Sequence, residues 1–239
     1  MTQVLVIKTG TTLPALLTTQ GDFDDWVIAG LGVKLDQVVV ADVQSGAALP
    51  DPNNVAGVVV TGSHDMVTDH AVWSERTAAW LRSAVEQQIP VLGICYGHQL
   101  LAYALGGEVG NNPRGTETGT VEVYLNEAGS ADRLLGGLAN PLRVQVSHQQ
   151  TVLTLPSGAR HLAWSDRDAH QAFVVGDAAW GVQFHPEFNA AAVLAYTQAD
   201  TEVLRAEGQN PDRISAQIEE TRYGQEILQR FAGIAIGSD

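Results

Sequence analysis

The sequence predicts an α/β protein with a mostly parallel central sheet, helices on both faces and an antiparallel extension. Two patterns carry this expectation. Up to Leu105, short continuous apolar runs alternate with amphipathic stretches, as strands buried on both faces and their covering helices do. Beyond Gly106, short strand-like runs follow one another with few helical stretches between them, which points to antiparallel strands added to the same sheet.

Each element has its local reason. Residues 4–8 are an apolar run that breaks at Thr9-Gly10 and reads as the first strand. Residues 24–31 have helical spacing, with Trp26, Val27 and Gly30-Leu31 on the inner stripe, and 37–43 form the second strand. Residues 55–60 are a third apolar run, followed at once by Thr61-Gly62-Ser63. The spacing over 72–88 predicts a helix that Pro90 stops. A fourth strand at 91–94 leads into a helix over 97–105. Strands are then expected at 119–125, 142–146, 160–164, 172–175 and 180–184. Helices follow at 190–207 and 213–231, separated by Gly208-Gln209-Asn210-Pro211. No repeat, low-complexity tract or long linker interrupts this order, so residues 1–239 are expected to form a single domain with 190–239 as a helical C-terminal extension.

Composition narrows the functions. Thirteen Lys and Arg stand against 27 Asp and Glu, a formal charge of −14, which disfavours nucleic-acid backbones and anionic lipid surfaces. With 45% hydrophobic and 17% charged residues the chain has ample apolar surface for a packed core. It contains no apolar run long enough to span a bilayer, and its start, Met1-Thr2-Gln3-Val4, lacks the cationic-then-apolar pattern of a signal peptide. A cytoplasmic protein is the expectation. The single cysteine allows no internal disulfide and no multi-cysteine metal site.

That cysteine lies in Gly93-Ile94-Cys95-Tyr96-Gly97-His98-Gln99, at a strand-to-helix junction with glycines two residues before and after it. Small flanking residues permit the tight turn of a nucleophile elbow, and a thiol beside the positive end of a helix is drawn toward the thiolate. A lone cysteine after an apolar strand is more often a small buried hydrophobe, so a base is needed to choose between the readings. Of the seven histidines, His185 follows the apolar run Gly181-Val182-Gln183-Phe184 and should emerge at a strand's C-terminal edge, where α/β sheets place their sites. Glu187, two residues on past the stiff Pro186, can accept a hydrogen bond from its imidazole. Cys95, His185 and Glu187 then form a candidate triad.

The elbow segment, with Ser147-His148 and Gln183-Phe184-His185-Pro186-Glu187 downstream, resembles the class I (triad) glutamine amidotransferase family, above all stand-alone proteins similar to the amidotransferase domain of GMP synthase. The likeness runs from about Val4 to Phe188. It implies a flavodoxin-like amidotransferase fold without a metal or other cofactor. By the same likeness Cys95 attacks the glutamine side-chain amide, His185 protonates the departing ammonia, Glu187 orients His185, and water releases glutamate from a thioester. Tyr96 and Gly62 match the positions whose backbone N–H groups form the oxyanion hole. Gln99 matches a position that helps hold the bound glutamine, and Ser147-His148 matches the segment that grips its amino and carboxylate ends. Here the chain departs from the usual Ser-His-x-Asp: it has Ser147-His148-Gln149-Gln150, without the acidic residue.

Amidotransferase domains of this type work with a synthase, so a separate synthase subunit is the expected partner, since no phosphate-loop motif is present here. Two other functions remain open: a hydrolase of small γ-glutamyl peptides using the same triad, and a catalytically silent binding or regulatory protein. His64-Asp65 and Asp69-His70 fit no familiar metal spacing and read as a solvated loop that borders the pocket mouth. Trp73, Trp80, Trp164 and Trp180 are expected in the core, and Glu202, Glu207, Glu219 and Glu220 on wet helix faces.

Overall fold

The computed structural model describes residues 3–237, so Met1-Thr2 and the last two residues of the expected domain lie outside the described residues. The first half builds β1 (Gln3–Lys8), α1 (Pro14–Gln20), α2 (Phe23–Leu31), β2 (Val38–Asp42), β3 (Val55–Val60), α3 (Val72–Glu86), β4 (Val91–Ile94) and α4 (Tyr96–Ala104). The second half adds β5 (Glu108–Asn111), β6 (Glu117–Leu125), α5 (Glu127–Ser130), β7 (Leu142–His148), β8 (Gln150–Thr154), β9 (Ala159–Trp164), β10 (Ala172–Val175) and β11 (Ala179–Val182). It closes with α6 (Ala190–Ala199), α7 (Thr201–Ala206), α8 (Pro211–Ala216) and α9 (Tyr223–Ile236).

A large sheet runs in the order β2-β1-β3-β4-β11-β10-β9-β6-β7. β2, β1, β3, β4 and β11 pair in parallel, and from β11 outward every pairing is antiparallel. The expected mostly parallel sheet with an antiparallel extension is therefore observed, and β11 is its hinge: it closes the parallel half although it comes last of the strands. Alternation along β1 divides the core. Val4 and Val6 enter the apolar cluster on one face, and Leu5 and Ile7 the cluster on the other. The first face is closed by α2 and α9, whose Ile227, Leu228 and Phe231 are wholly buried. Burial of each such side chain contributes about 1.5–3 kcal/mol.

Local chemistry explains the departures from expectation. α2 begins one residue early because Asp22 and Asp25 form a reciprocal capping box. α1 has seven residues, only Leu16 of them buried, and leaves almost no periodic signal. The helix expected over 190–207 is broken at Asp200, and that over 213–231 is two helices separated by residues 217–222. β5 and β8 form a separate antiparallel pair, so residues 150–154 are a strand where polar Gln150 and two threonines mask the pattern. Trp180 is buried in the core and Trp73 and Trp80 pack against it, but Trp164 is an exposed residue stacked on Tyr124, since it ends β9 on the open face. Among the described residues no helix is long and apolar enough to cross a membrane.

Candidate active site

Three adjacent parallel strands converge on one point. Val60 of β3 lies beside Gly93 of β4, and Ile94 of β4 beside Val182 of β11, so the residues leaving these strands emerge together at the C-terminal edge. They are Gly62, Cys95 and His185.

Cys95 occupies a sharp turn with φ 51° and ψ −101°, a left-handed conformation that a non-glycine residue holds only under strain of about 1–3 kcal/mol. Its N–H donates to Val182 O at 2.9 Å, tying the turn to β11. The flanking glycines are required by close approach. A Cβ at Gly93 would collide with Gly97 O, and one at Gly97 would lie 2.5 Å from Val60 O. Cys95 is 6% exposed and stands at the N-terminal end of α4, where the unsatisfied N–H groups favour negative charge.

His185 Nδ1 hydrogen-bonds Glu187 Oε1 at 2.7 Å, and both side chains are almost fully removed from water. With Nδ1 so engaged, Nε2 is the ring nitrogen left to exchange a proton. Burial alone would lower the imidazole pKa. The Glu187 carboxylate and the Cys95 sulfur, through charge and hydrogen bonds, overcome burial and raise it to about 10. The ring also stacks on Phe188 with centroids 3.9 Å apart. At Gly62 a Cβ would lie 3.1 Å from His185 Cε1 and 3.9 Å from Cys95 Cβ, inside the space between thiol and imidazole. The backbone N–H groups of Gly62 and Tyr96 have no acceptor among the described residues, which leaves both available to an oxyanion. The Tyr96 side chain is buried, its hydroxyl 2.6 Å from Ser74 Oγ.

A cavity of about 270 Å³ opens over the sulfur, small beside the roughly 300–1,000 Å³ of drug-sized sites. Cys95, His185, Gln99, Ser147 and His148 line it. Ser147 O accepts from Cys95 Sγ at 3.8 Å. Gln99 is bound more tightly to the protein than a free substrate ligand would be: its amide nitrogen donates to Gln150 O at 2.8 Å and Gln183 Oε1 at 3.0 Å. It thereby braces the segment after β7 and leaves its carbonyl oxygen for a ligand.

The His148 ring does not reach into the cavity. It is buried against Glu117, with Nε2 3.0 Å from Glu117 Oε2 and Nδ1 2.9 Å from Gln150 O. Asp168 Oδ2 lies 3.8 Å from the same Nε2. Burial disfavours the imidazolium here too, but the Glu117 hydrogen bond and charge, with Asp168, raise the pKa to about 9. Glu117 also accepts from Ser165 Oγ and Gln171 Nε2, both at 2.7 Å, and Asp168 Oδ1 from Thr151 Oγ1 at 2.7 Å. One ligand atom from each of Glu117, His148 and Asp168 falls within 4.8 Å of the others, a spacing that would suit a cation, and the raised pKa of His148 favours a positive charge on the imidazole itself.

Residues that sequence reasoning did not assign to the site complete the lining: Phe23, Phe188 and Tyr196 form an aromatic wall, and Asp200 ends α6 at the cavity. His64 and Asp65, expected in a solvated loop at the mouth, line the cavity. His64 Nε2 is 3.0 Å from the Tyr196 hydroxyl, and Asp65 accepts from Gln44. His70 turns instead to Glu75 at 2.9 Å, so this loop does not gather its histidines. Of the acidic residues expected on wet helix faces, Glu207 also accepts from Thr116 N and Oγ1, and Glu219 pairs with Arg143.

Fold and site together define an α/β protein with a cysteine, a histidine and a glutamate gathered at one edge of its parallel strands, and comparison with known proteins places the chain. Residues 26–204 match the sequence model of the family described as glutamine amidotransferase class-I, and the chain belongs to that family. Over 178 residues it is 38% identical to the glutamine-hydrolyzing GMP synthase of Aeropyrum pernix, covering 74% of this chain and 31% of that protein. Over 117 residues it is 46% identical to a glutamine-hydrolyzing GMP synthase subunit of Sulfurisphaera tokodaii, covering 48% and 57%. The chain thus spans about a third of the first relative and little more than half of the second. A solved glutamine amidotransferase from Thermotoga maritima superimposes with a TM-score of 0.75 at 23% identity, covering 99% of both chains. Another, from Methylobacillus flagellatus, gives 0.72 at 25% identity, covering 99% of this chain and 93% of that one.

Proposed function

We propose that this protein hydrolyses the side-chain amide of glutamine through Cys95, His185 and Glu187 and releases ammonia for an acceptor bound by a separate synthase subunit, with residues 1–239 acting as one amidotransferase-like domain. The observation that carries the reading is the convergence of a strained elbow cysteine, a carboxylate-bound imidazole and two unpartnered backbone donors on one small cavity. Cys95 Sγ bonds to the amide carbon, and the oxyanion is met by the N–H groups of Gly62 and Tyr96. His185 gives its Nε2 proton to the leaving nitrogen as the C–N bond breaks, which yields ammonia and a γ-glutamyl thioester. His185 then takes a proton from water, the hydroxyl adds to the thioester carbon, and glutamate leaves as the thiolate is restored. Glu187 holds the ring and stabilises its charged form throughout.

Hydrolysis of a γ-glutamyl peptide is the second reading. It is favoured by the aromatic wall of Phe23, Phe188 and Tyr196, which would pack against an amine larger than ammonia. Both readings need the same triad. Turnover of the purified protein on glutamine and on a panel of γ-glutamyl peptides separates them: the amidotransferase reading expects glutamate and ammonia from glutamine, and fast peptide cleavage with negligible glutamine turnover would refute it.

A further inference from the structure

The cavity over Cys95 is unusual in its charges. Among the described residues its lining contains no Lys or Arg, but it contains two aspartates, Asp65 and Asp200. They differ in what holds them. Asp65 is exposed and accepts a hydrogen bond from Gln44. Asp200 is partly buried where α6 ends and α7 begins. It stands at the N-cap of α7 without making the side-chain capping bond that aspartate usually supplies there. Neither a hydrogen bond nor an ion pair engages its carboxylate among the described residues. Burial raises its pKa, with a smaller contribution from Glu207, so no cation in the protein offsets the loss of water.

A partly buried carboxylate without a partner, on the wall of the cavity that holds Cys95, is stabilised when a ligand brings a positive charge to it. The ligand class proposed above has one: a γ-glutamyl unit carries an α-ammonium at the end remote from the bond that breaks. The other lining groups are poorly suited to it. His185 carries a positive charge of its own, the His148 ring is held outside the cavity, and Gln99 and Gln150 offer only neutral amide oxygens, that of Gln150 buried and without a partner. We propose that Asp200 is a specificity-determining residue that receives the α-ammonium of the substrate's γ-glutamyl unit, so that the site selects γ-glutamyl compounds with a free amino group. This rests on the glutamine-type reading of the site and deepens it.

The test compares the wild-type protein with Asp200→Asn, which keeps shape and removes charge, using three electrophiles that alkylate a thiol. The first is 6-diazo-5-oxo-L-norleucine, which carries the glutamyl ammonium. The second is its N-acetyl derivative, which lacks that charge, and the third is iodoacetamide, which resembles no glutamyl group. The first should label Cys95 about 10- to 100-fold more slowly in Asp200→Asn, the cost expected for a lost charge-assisted hydrogen bond. Rates with the second and third should agree between the two proteins within about twofold, as for a surface change that leaves the nucleophile intact. Equal rates with the first reagent would overturn the anchor, and so would slowing of all three by one factor, which marks a structural effect. Labelling of wild-type Cys95 by iodoacetamide but not by 6-diazo-5-oxo-L-norleucine would overturn the glutamine reading itself, a result distinct from failure of Asp200 alone.

Discussion

Two buried histidines lie within one sheet, each beside a carboxylate, and they are put to different uses. His185 sits at the end of the parallel half, 2.7 Å from Glu187, and lines the cavity that also holds Cys95. His148 ends β7 in the antiparallel half, 3.0 Å from Glu117, with its other nitrogen bound to the main chain at Gln150. Both favour the charged form, His185 with a pKa of about 10 and His148 of about 9. A raised pKa and a carboxylate partner are therefore common to both and do not distinguish a reactive centre from a structural one. Ring nitrogens that are all satisfied internally make His148 a brace for the Ser147–Gln150 segment. A ring nitrogen not taken up by the main chain, at the cavity that holds Cys95, fits His185 for proton transfer.

The contrast can be broken by substitution. His185→Ala should reduce glutamine hydrolysis by at least about 10⁴-fold, as loss of a triad base does elsewhere, and, because it leaves the buried Glu187 carboxylate unpaired, it should also lower stability by about 3–5 kcal/mol. A steady-state assay beside a melting curve checks this, and activity that survives would move the base elsewhere. Glu117→Ala should cost comparable stability without the same loss of activity. Removing one partner of a buried ion pair costs about 3–5 kcal/mol, read as a lower denaturant midpoint, and activity should fall only as the His148 segment loosens. Gly62→Ala lies between them. Its methyl group would enter the gap 3.1 Å from His185 Cε1 and disturb an oxyanion donor, so a loss of about 10²- to 10³-fold in kcat is expected with the fold intact.

The smallest effect concerns pH. The folded pKa of His148 is raised from 6.5 to about 9, so the native state binds more protons than the unfolded chain between those values. The stability it contributes is complete below about pH 6.5 and is lost as pH rises through about 9, with a slope of at most about 1.4 kcal/mol per pH unit. Glu117→Gln should flatten that slope. Chemical denaturation of both proteins across this window measures the difference, from which His185 cancels, and parallel curves would show that Glu117 does not hold the proton.

The same contrast shows what could be read from the residues alone. Gly62, Cys95 and His185 each follow an apolar run, and parallel strands deliver their ends to one edge, so their meeting is legible without coordinates. Glu187 is legible because it lies two residues from His185. Glu117 pairs with His148 from 31 positions away, and Asp168 and Asp200 come from a loop and a helix end. Nothing in local spacing marks them, since register across β6 and β7 and the fold of the final helices decide where they fall. Fold legibility follows the same physics. The apolar parallel strands stand out, but β8, with its polar start, and α1, with a single buried residue, do not.

The central claim is that Cys95 is the nucleophile for a glutamyl substrate, and covalent capture tests it most directly. Incubation with 6-diazo-5-oxo-L-norleucine followed by intact-mass and peptide mass spectrometry should give one adduct per chain, located on Cys95, and none in Cys95→Ser. An adduct on another residue, or equal labelling of the Cys95→Ser protein, would contradict the account.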